Sequence, residues 1–402
     1  MFGMMLKGFA KDISVQHAGN ALIAFIFAAT GPIAIMLTVG AKSGLPEPAL
    51  ATWMFGAFFF NGLISCVICL IYRQPMVFLW TIPGMILVGT ALENISFAEI
   101  VGAYLACGLL LLVLGVSGLF GKLADRIPMP IVMGMVAALL LKFGVSWIEA
   151  MLSGAWIAVP MTIAYFATAA VPMAARYCPP MISTLIVGVV ALMLVQGGPV
   201  EMPSANVFIS PIIFTPVFSW QAMAELVIPL AITVLFAQNG QGIALLRNAG
   251  QNPPVNVITA VCGYGSLLAA WFGAVSTCLT GPVNAMLLAG NEPRGHYTGA
   301  VLLSLMCALF GLMAPFFTSI MLATPPAFIA TLGGLALINV LKASFVTAFG
   351  GRFGFGALIA FIVTISNITF LNIGAAFWGI IAGVLASWAM ERSDFEPAQT
   401  ER

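Results

Sequence analysis

The chain has 402 residues, of which 61% are hydrophobic and only 7% are charged, with a formal net charge of +1. Soluble globular proteins carry about 25% charged residues, so this composition excludes a water-soluble surface. The sequence also shows no basic cluster or aromatic-basic stripe, which excludes nucleic acid as a partner. We therefore predict an all-α polytopic protein that has the lipid bilayer as its solvent.

Apolar runs of about 20 residues recur along the chain, and a helix needs about that length to cross a bilayer core of about 30 Å. Punctuation by Pro, Gly and charged residues predicts seven spans in the first half, at 18–38, 49–71, 75–91, 98–121, 128–146, 156–175 and 181–196. After a polar, Pro-rich connection, seven more are predicted at 221–246, 254–272, 278–290, 297–321, 325–342, 353–368 and 371–390. No cleavage site follows Lys7 and Lys11, so the first run is expected to be a retained span.

The basic residues support this count, because cytoplasmic loops hold most of the Lys and Arg. With both termini inside, only Lys42 and Lys142 fall outside, and the cytoplasmic side holds Lys7, Lys11, Arg73, Lys122, Arg126, Arg176, Arg247, Arg294, Lys342, Arg352, Arg392 and Arg402. One missed span in mid-chain would move every later loop to the other side. The pattern predicts a multi-pass inner-membrane protein with fourteen spans and both termini cytoplasmic.

Seven spans per half would place two related halves in opposite orientations, the inverted-repeat arrangement of many secondary transporters. Weak matches occur in the same order in both halves: residues 27–31 (FAATG) match 236–240 (FAQNG), and residues 84–89 (GMILVG) match 285–290 (AMLLAG). Spans 5 and 12 both open on proline pairs. The predicted organisation is a first repeat at 1–196, an extracytoplasmic connection at 197–219, a second repeat at 220–390 and a cytoplasmic tail at 391–402.

Spans 3 and 10 are short and broken at their starts, by Pro83 and Gly84 in one and by Gly281 and Pro282 in the other. Interrupted segments at matching places in two halves point to a transporter's binding site. The extended stretch before each break is expected to leave backbone groups unpaired, which membrane depth tolerates only inside protein or beside a cavity. Two helix N-termini meeting there favour a small anion. The alternative is that Pro and Gly only kink packed helices.

Polar residues near these breaks are the candidate substrate-binding groups. Span 8 carries Gln238, Asn239 and Gln241 in one turn of an apolar helix, where amides either line a site or hydrogen bond between packed helices. Further candidates are aromatic side chains that could stack on a planar ring and hydroxyl or amide groups that could orient a carboxylate: Phe27, Trp80, Thr30, Thr81, Thr277, Thr280 and Asn284. With thirty phenylalanines, however, an aromatic residue is expected near any site. Thr side chains in membrane helices more often bond their own backbone.

Neither a metal nor a cofactor is predicted. Cys66 and Cys69 have the spacing of half a zinc site but lack a second pair, and only His17 and His296 exist to complete a cluster. None of the thirteen acidic residues lies in the middle of a predicted span, although a proton relay usually includes such a residue. An intramembrane enzyme would need a catalytic cluster that these residues cannot supply.

Residues 14–32, 235–241 (LFAQNGQ) and 278–284 (CLTGPVN) resemble the BenE family of bacterial benzoate transporters, and the resemblance covers essentially the whole chain. It implies a benzoate:proton symporter, grouped with nucleobase:cation symporters and SulP anion transporters. It further implies a 7+7 inverted repeat with a core domain of spans 1–4 and 8–11 and a gate domain of spans 5–7 and 12–14. Substrate is then expected between the half-helices of spans 3 and 10, beside spans 1 and 8.

The resemblance also shows a departure. Proton-coupled nucleobase transporters of the wider group carry glutamates where this chain has Gln238 and Pro282. An uncharged site suits an anionic substrate, since a fixed carboxylate would repel it. The proton is then expected to enter with the substrate or to titrate a group near a span end, such as Glu225 or His17.

The sequence thus predicts an importer of benzoate or a similar small aromatic carboxylate, by proton symport with alternating access through an elevator or rocking motion. A transporter for another small anion or a nucleobase and a passive anion channel are the alternatives. The oligomeric state is left open, with a homodimer as one option.

Overall fold

The computed structural model describes residues 8–9, 11–42, 44–120, 128–171, 178–196, 206–288, 293–368, 370 and 375–395. These residues are almost entirely helical. One large apolar core runs through them, and many further large apolar side chains are exposed on the outside of the helices, among them Val15, Leu152 and Trp220. Lipid tails cover such a surface at no cost, whereas water would leave it unstable.

Within the described residues, the first half contains one helix in each predicted span. We number them α1 Val15–Lys42, α2 Glu47–Tyr72, α3 Ile82–Ala91, α4 Phe97–Ser117, α5 Met129–Ser153, α6 Ala155–Ala170 and α7 Pro180–Gln196. Helix α4 starts with a capping box, in which Ser96 Oγ accepts from the Glu99 amide and the Glu99 carboxylate accepts from the Ser96 amide. Helix α5 runs past its predicted end at residue 146 to Ser153, and Lys142 lies inside it.

The described part of the second half follows the same order. Its helices are α8 Trp220–Arg247, α9 Val255–Ala270, α10 Gly281–Leu287, α11, α12 Pro326–Phe349, α13 Gly354–Ile365 and α14 Ala375–Met390. Helix α11 is bent by 72° between His296–Leu312 and Ala314–Leu322. Helix α8 contains two π-helical stretches, Met223–Val227 and Thr233–Gly240. Such π segments are rare and occur frequently at functional sites.

Six of the helices in the described residues, α1, α2, α4, α5, α8 and α12, are long and apolar enough to cross a membrane, and α11 makes a seventh if its two pieces form one span. The chain is therefore a multi-pass membrane protein. Helices α6, α7, α9, α13 and α14 are shorter and apolar. Helices α3 and α10 are half-length, since at about 1.5 Å per residue they cover at most about half of a bilayer core.

The two extended stretches ahead of α3 and α10 pair with each other. Strand β1, Phe78–Trp80, runs antiparallel to strand β2, Thr277–Leu279, with Leu79 opposite Cys278. The prediction that these stretches leave backbone groups unpaired is therefore wrong, and the fold is not purely α-helical. Backbone N–H and C=O groups of each stretch find partners in the other stretch. Such pairing avoids the cost of unpaired backbone groups where no water is available.

The helices pack into two groups. The ribbon bundle comprises α1–α4 and α8–α11 around the two strands, and within it α4 packs on α9, and α2 on α11. The lateral bundle comprises α5–α7 and α12–α14, in which α5 packs on α12, α6 on α7 and α13 on α14. The bundles touch where α1 meets α12 and where α5 meets α8.

The connection between the halves was predicted at 197–219, and its first residues, 197–205, lie outside the described part. Residues 206–219 form no helix or strand and lie across the ribbon bundle. The amides of Ile209, Phe214 and Val217 donate to the carbonyls of Leu312, Trp271 and Ala98. These bonds fasten the connection to the bend of α11, the end of α9 and the start of α4.

Candidate functional site

The antiparallel ribbon connects α3 and α10, whose starts lie at its opposite ends. The Thr81 amide donates to the Ser276 carbonyl, and the Thr280 amide donates to the Val77 carbonyl, each at 3.1 Å. Thr81 and Thr280 are the N-cap residues of the two half-helices. Because the strands are antiparallel, α3 and α10 leave opposite ends of the ribbon in opposite directions. The assignment of the two broken spans to the substrate site stays a prediction.

Two of the predicted amides hold the ribbon in place. Asn239 Oδ1 accepts from the Leu279 amide at 2.8 Å, and Asn284 Oδ1 accepts from the Val77 amide at 2.9 Å. The Asn284 Nδ2 group also donates to the Val77 carbonyl at 3.1 Å. Both asparagines are fully buried. Their hydrogen bonds are those of a scaffold that ties α8 and α10 to β2 and β1.

Three supporting residues were not identified from the sequence. Ser65 Oγ accepts from the Phe78 amide at 2.8 Å, and Ser266 Oγ accepts from the Thr277 amide at 2.9 Å. Thr277 Oγ1 donates to Asn61 Oδ1 at 2.8 Å. Asn61, Ser65 and Ser266 are buried polar residues in the middle of α2 and α9. A polar residue in the middle of an apolar helix is visible in the sequence, and this feature could have identified all three.

The two N-cap threonines differ. Thr81 Oγ1 accepts from the Gly84 amide at 3.2 Å and donates to Thr233 Oγ1 at 3.1 Å, so it caps α3 and ties it to α8. Thr280 caps nothing with its side chain, and its buried Oγ1 has no hydrogen-bond partner in the described structure. The buried Gln238 Oε1 also has no hydrogen-bond partner in the described structure. An unpaired buried polar atom costs about 1–3 kcal/mol, which a bound ligand can recover.

Several other predicted residues surround the start of α10. The Gln241 side chain lies against Gly281, where an added Cβ would collide with its carboxamide, so this glycine permits the close approach of α8. Trp80 is buried, and its ring packs against Phe58 with centroids 4.5 Å apart. Its Nε1 has no partner among the described residues. The side chain of the remaining candidate, Thr30 in α1, lies outside the described residues.

A cavity of about 300 Å³ lies between the two bundles next to the start of α10. We call it the α10 cavity; its walls are Ile23, Ile26, Phe27, Tyr165, Pro179, Pro180, Met181, Ile182, Pro282, Met286, Leu335, Ala336, Asn339 and Val340. Two predicted residues, Phe27 and Pro282, are among them. The walls are mostly apolar, and their polar pair is Asn339 Nδ2 donating to the Tyr165 hydroxyl at 3.4 Å. Small-molecule sites are typically apolar pockets of about 300–1,000 Å³ with a few polar groups.

A second cavity, of about 160 Å³, lies between the bundles beyond the other half-helix. We call it the Glu225 cavity; its walls are Thr90, Glu93, Asn94, Leu139, Glu225, Thr364, Asn367, Ala375 and Ala376. The α10 cavity is lined from α1, α6, α7, α10 and α12, and the Glu225 cavity from α8, α13, α14, α3 and α5. Each helix of one set differs by seven in number from a helix of the other.

The two histidines of the chain lie together. His17 in α1 and His296 in α11 are buried, with ring centroids 5.8 Å apart and nearly perpendicular. Ser14 Oγ lies 2.9 Å from His17 Nδ1. Among the described residues, no group of three or more His, Cys, Asp or Glu side chains is arranged to hold a metal ion.

The comparison with protein families assigns the chain. The family model described as "Benzoate membrane transport protein" (BenE) matches residues 11–388. The chain belongs to this family. Inner membrane protein YdcO of Escherichia coli (strain K12) is 29% identical over 357 residues, covering 87% of this chain and 89% of that protein. The benzoate membrane transport protein of Acinetobacter baylyi (strain ATCC 33305 / BD413 / ADP1) is 27% identical over 387 residues, covering 95% and 97%.

Solved structures show the fold of this BenE family member. SLC26A9 matches with a TM-score of 0.66 at 16% identity, and the match covers 92% of this chain and 64% of that one. The transmembrane domain of the cyanobacterium bicarbonate transporter BicA matches with a TM-score of 0.62 at 14% identity, covering 92% and 98%. The family match makes the protein a membrane transporter and not an enzyme, and the solved structures show that its fold is SLC26-like.

Proposed function

We propose that this protein imports benzoate or a similar small aromatic carboxylate by proton symport with alternating access, in a bacterial inner membrane. The observation that carries the proposal is the α10 cavity, an apolar pocket between two bundles that reaches the first turn of a half-helix. The family match and the name of the Acinetobacter relative support the choice of substrate. The name of the Escherichia relative supports the choice of membrane.

In this proposal the substrate ring occupies the α10 cavity beside Phe27, and the carboxylate lies toward the start of α10. Thr280 Oγ1 is a buried hydroxyl without a partner in the described structure, so it is available to donate to the carboxylate. The Gln238 and Gln241 amides, on the helix that packs against α10, are the further polar contacts. Among the described residues no acidic side chain lines the cavity, which suits an anion.

We further propose fourteen spans in a 7+7 inverted repeat, with both termini cytoplasmic. The ribbon bundle is then the core domain and the lateral bundle is the gate domain, as the family resemblance implies. The seven-helix offset between the walls of the two cavities supports this plan, since an inverted repeat relates α1 to α8, α3 to α10 and α5 to α12. Movement of the core against the gate would open the α10 cavity to one side of the membrane.

Uptake of labelled benzoate into proteoliposomes tests the function. With an inward proton gradient we expect accumulation that excess unlabelled benzoate and salicylate reduce and uracil does not. Protein-free vesicles correct for passive entry of the neutral acid. Competition by uracil alone would replace the substrate class with nucleobases. Uptake that ignores an opposing pH gradient would replace the symporter with a passive channel.

A further inference from the structure

The Glu225 cavity contains a buried carboxyl group that has no partner among the described residues. Glu225 lies in the first π segment of α8, its side chain is only 4% exposed, and it forms a wall of the cavity. No hydrogen bond or ion pair to it occurs within the described residues, whose ion pair, Arg352 to Asp394, lies elsewhere. Thr364 Oγ1, on the opposite wall, is also buried without a partner in the described structure.

The charged groups around this cavity come from three elements. Glu93 follows α3 and forms part of the wall. Glu99 starts α4, where its carboxylate is bound to Ser96. Lys142 in α5 reaches the rim, since its Nζ donates to Asn367 Oδ1 at 3.1 Å. The described residues of α13 and α14 add no titratable group to the wall.

These surroundings favour a proton over a metal cation as the ligand. A sodium or calcium ion would need several oxygen ligands, whereas the described residues include no group of three or more His, Cys, Asp or Glu side chains that could hold a metal ion, and Asn367 Oδ1 already accepts from Lys142. The Lys142 ammonium would also repel a second cation. A proton needs only one carboxylate oxygen.

We propose that Glu225 is the group that carries the coupled proton, an inference that rests on the proposed symport. Across the cavity from Glu225 lie Leu139, Ala375 and Ala376 of the lateral bundle. Moving a carboxylate past this apolar surface is costly, whereas the neutral acid passes at little cost. The carboxylate binds one proton from the side to which the cavity opens, and after the movement the same O–H bond breaks to release it. The substrate anion and the proton then cross together.

The test compares driven accumulation with exchange in proteoliposomes of the full-length protein. For one proton per benzoate, a gradient of one pH unit drives about tenfold accumulation in the wild type. Glu225→Gln should reduce that accumulation ratio to about one, yet keep exchange of labelled for unlabelled benzoate at equal pH within about threefold of the wild-type rate. Glu149→Gln, which changes an exposed carboxyl on α5 outside the cavity, is the matched control and should behave as wild type.

Three results would overturn the inference. They are full pH-driven accumulation by Glu225→Gln, loss of exchange together with accumulation in a folded Glu225→Gln protein, and a sodium gradient replacing the proton gradient in the wild type. If Glu225→Gln does not fold, Glu225→Asp decides: a displaced pH profile of accumulation supports the inference, and an unchanged one contradicts it. Absence of benzoate exchange in the wild type would instead contradict the proposed function, so the two failures are distinguishable.

Discussion

The α10 cavity and the Glu225 cavity lie between the same two bundles and are lined by helices that differ by seven in number, yet their chemistry differs. The first is about 300 Å³ and mostly apolar, with Phe27, Met181 and Met286 in its walls. The second is about 160 Å³ and holds two carboxyl groups. The same arrangement of helices therefore forms a cavity suited to an aromatic ring and a cavity suited to a proton. The side chains in the walls determine which of the two ligands each cavity suits.

The largest effect is expected where the two cavities share a support. Asn284→Ala removes the acceptor of the Val77 amide and the bond that ties α10 to β1. Loss of this buried bond should cost about 2–4 kcal/mol and disturb both half-helices, hence both cavities. The measurement is the thermal unfolding midpoint in detergent together with benzoate exchange.

Asn256→Ala, at an exposed amide in the first turn of α9, is the control for this change. It should leave the unfolding midpoint and the exchange unchanged. An Asn284→Ala protein as stable and active as the wild type would show that the ribbon does not support the site.

The next effect separates the cavities by filling each in turn. Ala336→Leu adds bulk to the α10 cavity, and Ala376→Leu adds it to the Glu225 cavity. The first should raise the KM for benzoate about tenfold or more, because a few methyl groups in an apolar pocket are worth about 1–3 kcal/mol. The second should leave the KM of exchange near the wild-type value and weaken pH-driven accumulation. Equal effects of both variants on the KM would remove the distinction between the cavities.

A smaller effect is expected at the close contact between α8 and α10. Gly281→Ala places a methyl group against the Gln241 carboxamide, which has to move. The unfolding midpoint should fall, and adding Gln241→Ala should restore part of it, with a coupling energy of about 0.5–2 kcal/mol in the double-mutant cycle. Gly351→Ala, where an added Cβ meets nothing, is the control. Strict additivity of the two changes would mean that the contact is absent.

The smallest effect concerns the lateral bundle and separates its stability from proton coupling. Burial raises the pKa of the Glu391 carboxyl, but hydrogen bonds from Ser387 and from the Phe355 and Gly356 amides outweigh it, and the pKa is lowered. These bonds cap the start of α13. A carboxyl group with a lowered pKa stabilises the folded state at pH values above its ordinary pKa. This stabilisation is lost as the pH falls through the pKa of the folded state.

Glu391→Gln should therefore lower the unfolding midpoint at pH 7 by the equivalent of about 1 kcal/mol or less and flatten its decline below about pH 4.5. Benzoate accumulation near neutral pH should stay at the wild-type level. A Glu391→Gln protein that loses pH-driven accumulation would assign the pH dependence to the lateral bundle instead of Glu225.

The sequence predicted the places of the helices well, because hydropathy and Pro or Gly punctuation are local. It also predicted the breaks at Pro83 and Pro282. It missed the pairing of Phe78 with Leu279, because two three-residue strands in distant parts of the chain carry no periodic signal. The ends of α5 and α12 were placed too early, at residues 146 and 342, and Lys142, which was counted as a residue outside the membrane, lies within α5.

The site was predictable in its elements but not in the role of each side chain. Sequence distance does not show that Asn239 and Asn284 are occupied by backbone bonds while Thr280 Oγ1 is unpaired. That difference depends on how two half-helices meet in space. Glu225 looked like a residue near a span end, and only the packing of α8 against α3, α4 and the lateral bundle shows its carboxyl to be buried.

The ribbon has a consequence for biogenesis. Val77 and Asn284 are 207 residues apart, so a ribosome adding about 5–20 residues per second needs about 10–40 s to supply the partner of β1. During that interval the amides of Val77 and Thr81 lack their final acceptors, Asn284 Oδ1 and the Ser276 carbonyl, in the nascent chain. The first half therefore has to remain within the translocon or beside a chaperone, with these backbone groups unpaired, until the second half is synthesised. Truncation before residue 276 should yield a product that quality-control proteases remove.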